Sequence, residues 1–249
     1  QPVSPVSWVS SIWRHRDLIY QLTKRDIIGR YKGSVIGLGW SFFHPLLMLS
    51  VYTFVFTVVF QARWNVSGDA QPQFALLLFV GLITHGLFAE IVNRAPSLVQ
   101  SNVNYVKKVV FPLELLPLII TKAALFHALV SFLILFSAFF GFLHPTALLF
   151  PVILAPFVLL IIGVAYFLAS LGVFVKDIGQ AIGIVTTVML FLAPVFYPVS
   201  ALPEKFQYLL FLNPITFIVE QQREVIIFGR SPDWSGFAIY TAVAVVVVW

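Results

Sequence analysis

Residues 25–46, RDIIGRYKGSVIGLGWSFFHPL, combine arginine and lysine with four glycines, at 29, 33, 37 and 39. Glycine beside lysine is the raw material of a phosphate loop, in which backbone amides cradle phosphates and the lysine reaches the outer ones. That chemistry needs the spacing G-x-x-x-x-G-K-S/T, and no G-K-S/T occurs in the stretch. The chain therefore offers no nucleotide site of its own, and if ATP drives it, another subunit must bind the ATP. A basic, glycine-punctuated segment abutting an apolar run also reads as a short helix followed by a bend, because glycine lets the backbone turn sharply.

The other ionisable groups of interest sit inside apolar runs, where charge is costly and marks function by default. Glu90 and Arg94 are four residues apart, a helical spacing that allows a structural ion pair. Lys122 lies within a run and is placed to snorkel toward its inner end. His127, on the same run, reads as a hydrogen-bonded packing residue. No succession of carboxylates crosses the runs, which argues against proton-coupled transport. The absence of cysteine excludes disulfides and thiol chemistry, and no G-x-S-x-G, H-E-x-x-H or paired-carboxylate motif is present.

Aromatic residues gather in two places: Phe42, Phe43, Tyr52, Phe54, Phe56 and Phe60, then Phe196, Tyr197, Phe206, Tyr208, Phe211 and Phe217. Along a channel they would suit sugar rings, which stack on π-surfaces. Facing lipid, they would be filler and interfacial belts. Phe42, Tyr52, Phe56, Phe60, Phe196 and Tyr197 are the channel candidates.

The elements that must position these residues follow from composition. The 249 residues are 60% apolar and 10% charged, with mean hydropathy +0.97, whereas a soluble domain carries about 25% charged residues. The deficit predicts an all-α, polytopic membrane protein. Spanning takes about 20 apolar residues, and five stretches qualify, 42–61, 74–93, 113–140, 149–173 and 181–197. A sixth begins near Phe237 and reaches Trp249 before attaining that length, so the last helix is expected to continue past this sequence. Alternate flanks carry ten and four lysines and arginines, and the richer set includes residues 1–41, which puts the N-terminus in the cytoplasm. The net charge of +5 thus reflects topology rather than nucleic-acid binding.

Residues 1–41 do not span. Trp8, Ile12, Ile19 and Leu22 form one helical stripe, with Arg14, Arg16, Lys24 and Arg25 mostly elsewhere. Such a helix suits the membrane–water interface, or the surface of a soluble partner. The loop 198–236 alternates short apolar blocks with Pro198, Pro203 and Pro214, and predicts two short helices, about 203–211 and 215–228, dipping into the outer leaflet. Pro194 and Pro198 break the chain at the top of the fifth span. The transmembrane domain is 42–249, and no internal repeat is apparent.

Three segments taken together, TKRDIIGRYKGSVIGLGWSFFHPLL, LVQSNVNYVKKVVFPLELLPL and FLAPVFYPVSALPEKFQYLLFLNPITFIVEQQREVIIFGRSPDW, resemble the membrane subunit of the ABC exporters that move polysaccharide across the bacterial inner membrane. The likeness covers nearly the whole chain. It implies a homodimer of six-helix subunits paired with two copies of a separate ATPase, which would hold the ATP and Mg, with no cofactor on this chain. It implies a coupling helix at Arg25, Asp26, Ile27, Ile28, Arg30, Tyr31 and Lys32, with Gly33 and Gly37 as the bend. Lys176 and Asp177 would form a second cytoplasmic contact. The short outer helices, with Pro198, Pro203, Pro214, Glu220 and Arg223, would form a gate. The implied cargo is an undecaprenyl-linked polysaccharide. An exporter of drugs or lipids with the same architecture is the nearest alternative; an ATP-independent channel or secondary transporter, or a membrane scaffold, stands further off.

Overall fold

The computed structural model describes residues 5–59, 70–102 and 112–249. Phe60, Arg63, the NVS triplet at 65–67, Lys107 and Lys108 lie outside the described residues, as does the side chain of Phe56.

Every regular element among the described residues is helical. Helices α1 (Pro5–Arg14) and α2 (Arg16–Tyr31) are followed by α3 (Trp40–Thr53), which loosens into a π-turn over Phe54–Val59. Next come α4 (Ala70–Arg94), prolonged by a 3-10 turn and a short helix to Ser101, then α5 (Leu115–Ala138) and α6 (Phe150–Phe174). The C-terminal third holds α7 (Ile178–Phe191), α8 (Glu204–Phe211), α9 (Pro214–Ile226) and α10 (Trp234–Val248).

Three of these are long and apolar enough to cross a bilayer: Phe74–Ser101, Leu115–Ala138 and Pro145–Phe174. The fifth expected span, 181–197, is shorter than the sequence suggests. Its helix starts at Ile178 and stops at Phe191, because Pro194 deprives the backbone of a donor just beyond. The other apolar run, Trp234–Val248, is likewise short among the described residues.

The core lies between α4, α5 and α6. Leu76, Leu77 and Leu78 are fully buried, Phe88 stacks on Phe157 with centroids 6.5 Å apart, and Phe132 meets Phe150 at 4.3 Å. Lipid tails are as apolar as leucine, so helices in a bilayer associate through close packing, favoured by small residues at the contact. Two glycines of α6 do this. A Cβ on Gly172 would lie 2.0 Å from the Pro96 carbonyl oxygen, and one on Gly163 would lie 2.6 Å from that of Val247. These close approaches seat the end of α4 and the whole of α10 against α6. On the other side, His85 Nε2 donates to the Thr186 carbonyl at 3.0 Å, and the Thr186 hydroxyl lies 3.1 Å from the Asn93 side-chain amide, tying α4 to α7.

By contrast, α3 and α7 keep much apolar surface exposed, including Phe42, Phe43, Leu47, Phe54, Ile184, Val188 and Phe191. The α6–α7 turn, the extension of α4 and the C-terminal half of α2 gather at one end of the bundle, where Gln100 Nε2 donates to the Gly172 carbonyl at 2.8 Å. At the other end α9 packs on α4, α6 and the 145–149 turn.

The basic N-terminal segment differs from expectation in one respect. Its helix breaks at His15, and the segment read as a separate coupling helix is the second half of continuous α2. The apolar stripe of Trp8, Ile12, Ile19 and Leu22 packs onto the chain's own core. Trp8 Nε1 donates to the Tyr166 hydroxyl at 3.2 Å, which donates to the Glu114 carbonyl at 2.6 Å.

Candidate functional site

The charged residues of α2, α4 and α5 converge at the basic end. Asp26 is one turn before Arg30 on α2, and Glu90 one turn before Arg94 on α4. The pairs cross. Arg94 grips Asp26 with two parallel bonds of 3.1 and 2.8 Å, and Arg30 Nη2 lies 2.5 Å from Glu90 Oε1. The within-helix pairs are looser, 3.6 Å for Asp26–Arg30 and 4.0 Å for Glu90–Arg94. A bidentate arginine–carboxylate contact is among the stronger and more directional polar interactions. The expected Glu90–Arg94 pair is therefore one edge of a four-membered ring whose shorter edges run between helices.

His127 of α5 closes the cluster. Its Nε2 is 3.2 Å from the Tyr31 hydroxyl, and its Nδ1 is 3.4 Å from Glu90 Oε1 and 3.1 Å from Arg30 Nη1. A guanidinium N–H can only donate, so Arg30 Nη1 and Glu90 Oε1 compete for Nδ1, while Nε2 faces the Tyr31 hydroxyl. Burial pushes the Tyr31 hydroxyl above its ordinary range, with Arg30 opposing, so Tyr31 remains a donor. The implied coupling set thus divides. Asp26, Arg30 and Tyr31 clasp the chain's own bundle, while Lys32 is exposed together with Ile28. Ile27 is half-buried, and Arg25 is exposed. Gly33 and Gly37 adopt φ of 88° and 56°, the left-handed region that glycine enters without strain. Lys176 and Asp177 sit in the exposed α6–α7 turn at the same end.

The opposite end is organised by a buried arginine. Arg223 of α9 is 3% exposed; its Nε and Nη2 donate to the Leu77 carbonyl at 3.1 and 2.9 Å, and Nη2 reaches Val195 O at 3.1 Å. Nη1 donates to the Pro194 carbonyl. The chain unwinds after α7, so the Pro194 and Val195 carbonyls lack helical partners, and non-helical backbone at membrane depth survives only when protein satisfies it. Arginine's fixed fork of five donors suits that task. Gly81 makes the room, since a Cβ there would come within 3.2 Å of Nη2.

Beside it, Gln222 is fully buried, with its Oε1 2.5 Å from the Thr84 hydroxyl, which also lies 2.8 Å from the Val80 carbonyl. One hydroxyl proton cannot serve both acceptors. Turning the amide over lets Nε2 donate to Thr84 and supplies the partner that Nε2 lacks.

The remaining predicted residues scatter. Phe42 is exposed on α3, Tyr52 is half-buried, and Phe196 lies 5.8 Å from the Phe191 ring beside Tyr197, whose hydroxyl donates to the Phe191 carbonyl. Pro203 stands at the N-cap of α8 and Pro214 at the first position of α9, where Asn213 accepts from Ile215 N at 3.1 Å. Pro198 leads into the 199–201 turn, and burial raises the Glu220 carboxyl above the usual range, with Arg223 opposing. Sequence reading did not pick out Gln222, Thr84 or Asn213, since a lone polar residue in an apolar run carries no mark of its partner.

An all-helical membrane chain with a basic clasp at one end and a braced chain break at the other has the form of a transporter's membrane subunit. Residues 17–227 match the family model of the ABC-2 type transporter, and the chain belongs to that family. It is 28% identical, over 97% of its length and 92% of the relative's, to the O-antigen export system permease protein RfbA of Myxococcus xanthus. It is 27% identical to the protein of the same description from Klebsiella pneumoniae, over 86% of this chain and 81% of that one.

Proposed function

We propose that this chain is the permease subunit of an ATP-driven exporter that carries a lipid-linked polysaccharide out of the cytoplasm. It would work as a homodimer of six-span subunits in the bacterial inner membrane, N-terminus inside, with two copies of a separate ATPase that bind ATP and Mg. The observation that carries this reading is the clasp. A helix that presents Ile28 and Lys32 outward is fixed by Asp26 and Arg30 to α4 and α5, so a displacement delivered to its outer face is passed to the bundle. The exposed Lys176–Asp177 turn at the same end is a second point of contact. The names of the relatives speak of O-antigen export, and the cargo we propose on that ground is an undecaprenyl-linked glycan. Phe42 and the other exposed aromatics of α3 and α7 would face the partner copy and the passing chain, Pro203 to Arg223 forming the outer gate.

The test is to delete the gene in its native host and locate the lipid-linked polymer. Polymer accumulating on the cytoplasmic side, with none on the surface, is the expected result. Normal surface polymer would remove polysaccharide as the cargo.

A further inference from the structure

A cavity of about 580 Å³ lies between α3, α4 and α5 and is closed at one end by Arg30 and Tyr31 of α2; of the channel candidates it includes Tyr52. Its volume falls within the roughly 300–1,000 Å³ of small-molecule sites. Along α4 its lining runs from Glu90 to Phe79, about 16 Å at the helical rise, so the space is long relative to its volume. One end holds Arg30, His44, Glu90 and His127; away from it the lining is mainly apolar, with Met48, Phe79, Leu82 and Ile83, and also carries Tyr52 and Ser131. A polar head joined to one long aliphatic chain has that distribution.

The charges narrow the head. Of the clasp, Arg30 and Glu90 line the cavity and pair with each other, so this end displays both signs. The contacts of Glu90 all run through Oε1. Among the described residues Oε2 keeps acceptor capacity, and Glu90 and Trp40 both line the cavity, Trp40 with an aromatic face on which a cation can rest. Arg30 and the His44 imidazole supply donors on the same lining. A free carboxylate oxygen suits an ammonium and rejects a purely anionic head, while the donors suit a phosphate. We propose that this cavity binds one zwitterionic aminophospholipid of the bilayer, with its ammonium at Glu90 and Trp40, its phosphate toward Arg30 and His44, and one acyl chain running to Phe79. The assignment does not depend on the exported cargo.

Gly86 provides the decisive variant. It lines the cavity, and a Cβ there meets nothing within 4 Å. Gly86→Leu therefore starts from open space at its Cβ, adds side-chain volume at the cavity wall and improves the helix. The experiment is native mass spectrometry of the full chain in detergent, titrated with phosphatidylethanolamine or phosphatidylglycerol. The expected result is one phosphatidylethanolamine retained per chain, preferred at least tenfold over phosphatidylglycerol. Gly86→Leu abolishes that retention at an unchanged or raised thermal midpoint, and Glu90→Gln weakens it by about tenfold, the equivalent of one charge-assisted hydrogen bond. Equal retention of both lipids, or retention that survives Gly86→Leu, overturns the assignment. So does displacement of phosphatidylethanolamine by undecaprenyl phosphate at equal concentration, which would move the site to the carrier lipid.

Discussion

Asp26 and Arg94 face each other across two helices, the carboxylate receiving both guanidinium nitrogens at 2.8 and 3.1 Å. Both side chains are about one-quarter to one-third exposed, so the pair contributes only about 1 kcal/mol to stability. Its consequence is positional. Asp26→Asn should leave the protein folded and lower transport severely, and the charge swap Asp26→Arg with Arg94→Asp should restore part of it. A double-mutant cycle on transport measures the coupling; additive losses would show that the two residues act apart.

The outward face of α2 gives a different prediction from the clasp. Lys24 and Lys32 are exposed, so Lys24→Glu with Lys32→Glu should abolish stimulation of the partner ATPase while the thermal midpoint stays put. Arg30→Glu should lower the midpoint as well, because it sets a carboxylate against Glu90. ATPase assays and thermal unfolding of the reconstituted complex separate the two outcomes, and equal stability of both variants would contradict the inward assignment of Arg30.

Gly172 and Gly86 occupy helices of similar character and should respond oppositely to alanine. Gly172→Ala drives a methyl group into the Pro96 backbone and should cost roughly 1–3 kcal/mol. Gly86→Ala meets open space and should gain up to about 1 kcal/mol of helix propensity. Unfolding in mild detergent with increasing denaturant reads both.

Arg223→Met should destabilise the α9 end of the bundle by on the order of 3 kcal/mol, because it strips partners from carbonyls that burial leaves without water. Arg223→Lys cannot reproduce the fork and should rescue little. Protease accessibility of the 192–213 segment is the direct measure, and an unchanged cleavage pattern in Arg223→Met would exclude the brace.

Asp233 caps α10, accepting from Ser235 N and Gly236 N at 3.1 Å each. The Ser235 hydroxyl and the Gly236 amide hold its carboxyl below the usual range. A depressed folded pKa contributes stability above the unfolded carboxylate value, which is lost as pH falls through the folded one. Asp233→Ala should therefore lower the thermal midpoint at neutral pH, and the difference should close under acid. A gap that is independent of pH would show that the cap acts without its charge.

The sequence made the helical class plain, because runs such as 74–93 and 149–173 are apolar throughout and cannot be mistaken for solvated helices. The short helices α8 and α9 were legible for a local reason, since Pro203 and Pro214 mark where each begins. The extent of the fifth span was not legible: hydropathy continues past Phe191, and only the backbone shows where the helix stops. The clasp was half visible. Glu90 and Arg94 announce themselves by spacing, yet their closer partners, Arg30 and Asp26, are some sixty residues away in the chain, and no periodicity records a contact between helices. The same holds for Arg223, whose partners are backbone carbonyls and carry no residue type at all.

The left-handed glycines at 33 and 37 set the order in which movement travels. The covalent route from α2 to α3 passes through two compliant joints, whereas the route to α4 and α5 is a short strut of ion pairs. A load placed on α2 therefore reaches α4 and α5 before it reaches its own sequence neighbour. The lever arm of the machine is drawn by electrostatics rather than by the polypeptide, and lengthening the 32–39 linker should leave transmission largely intact while severing a single arginine should not.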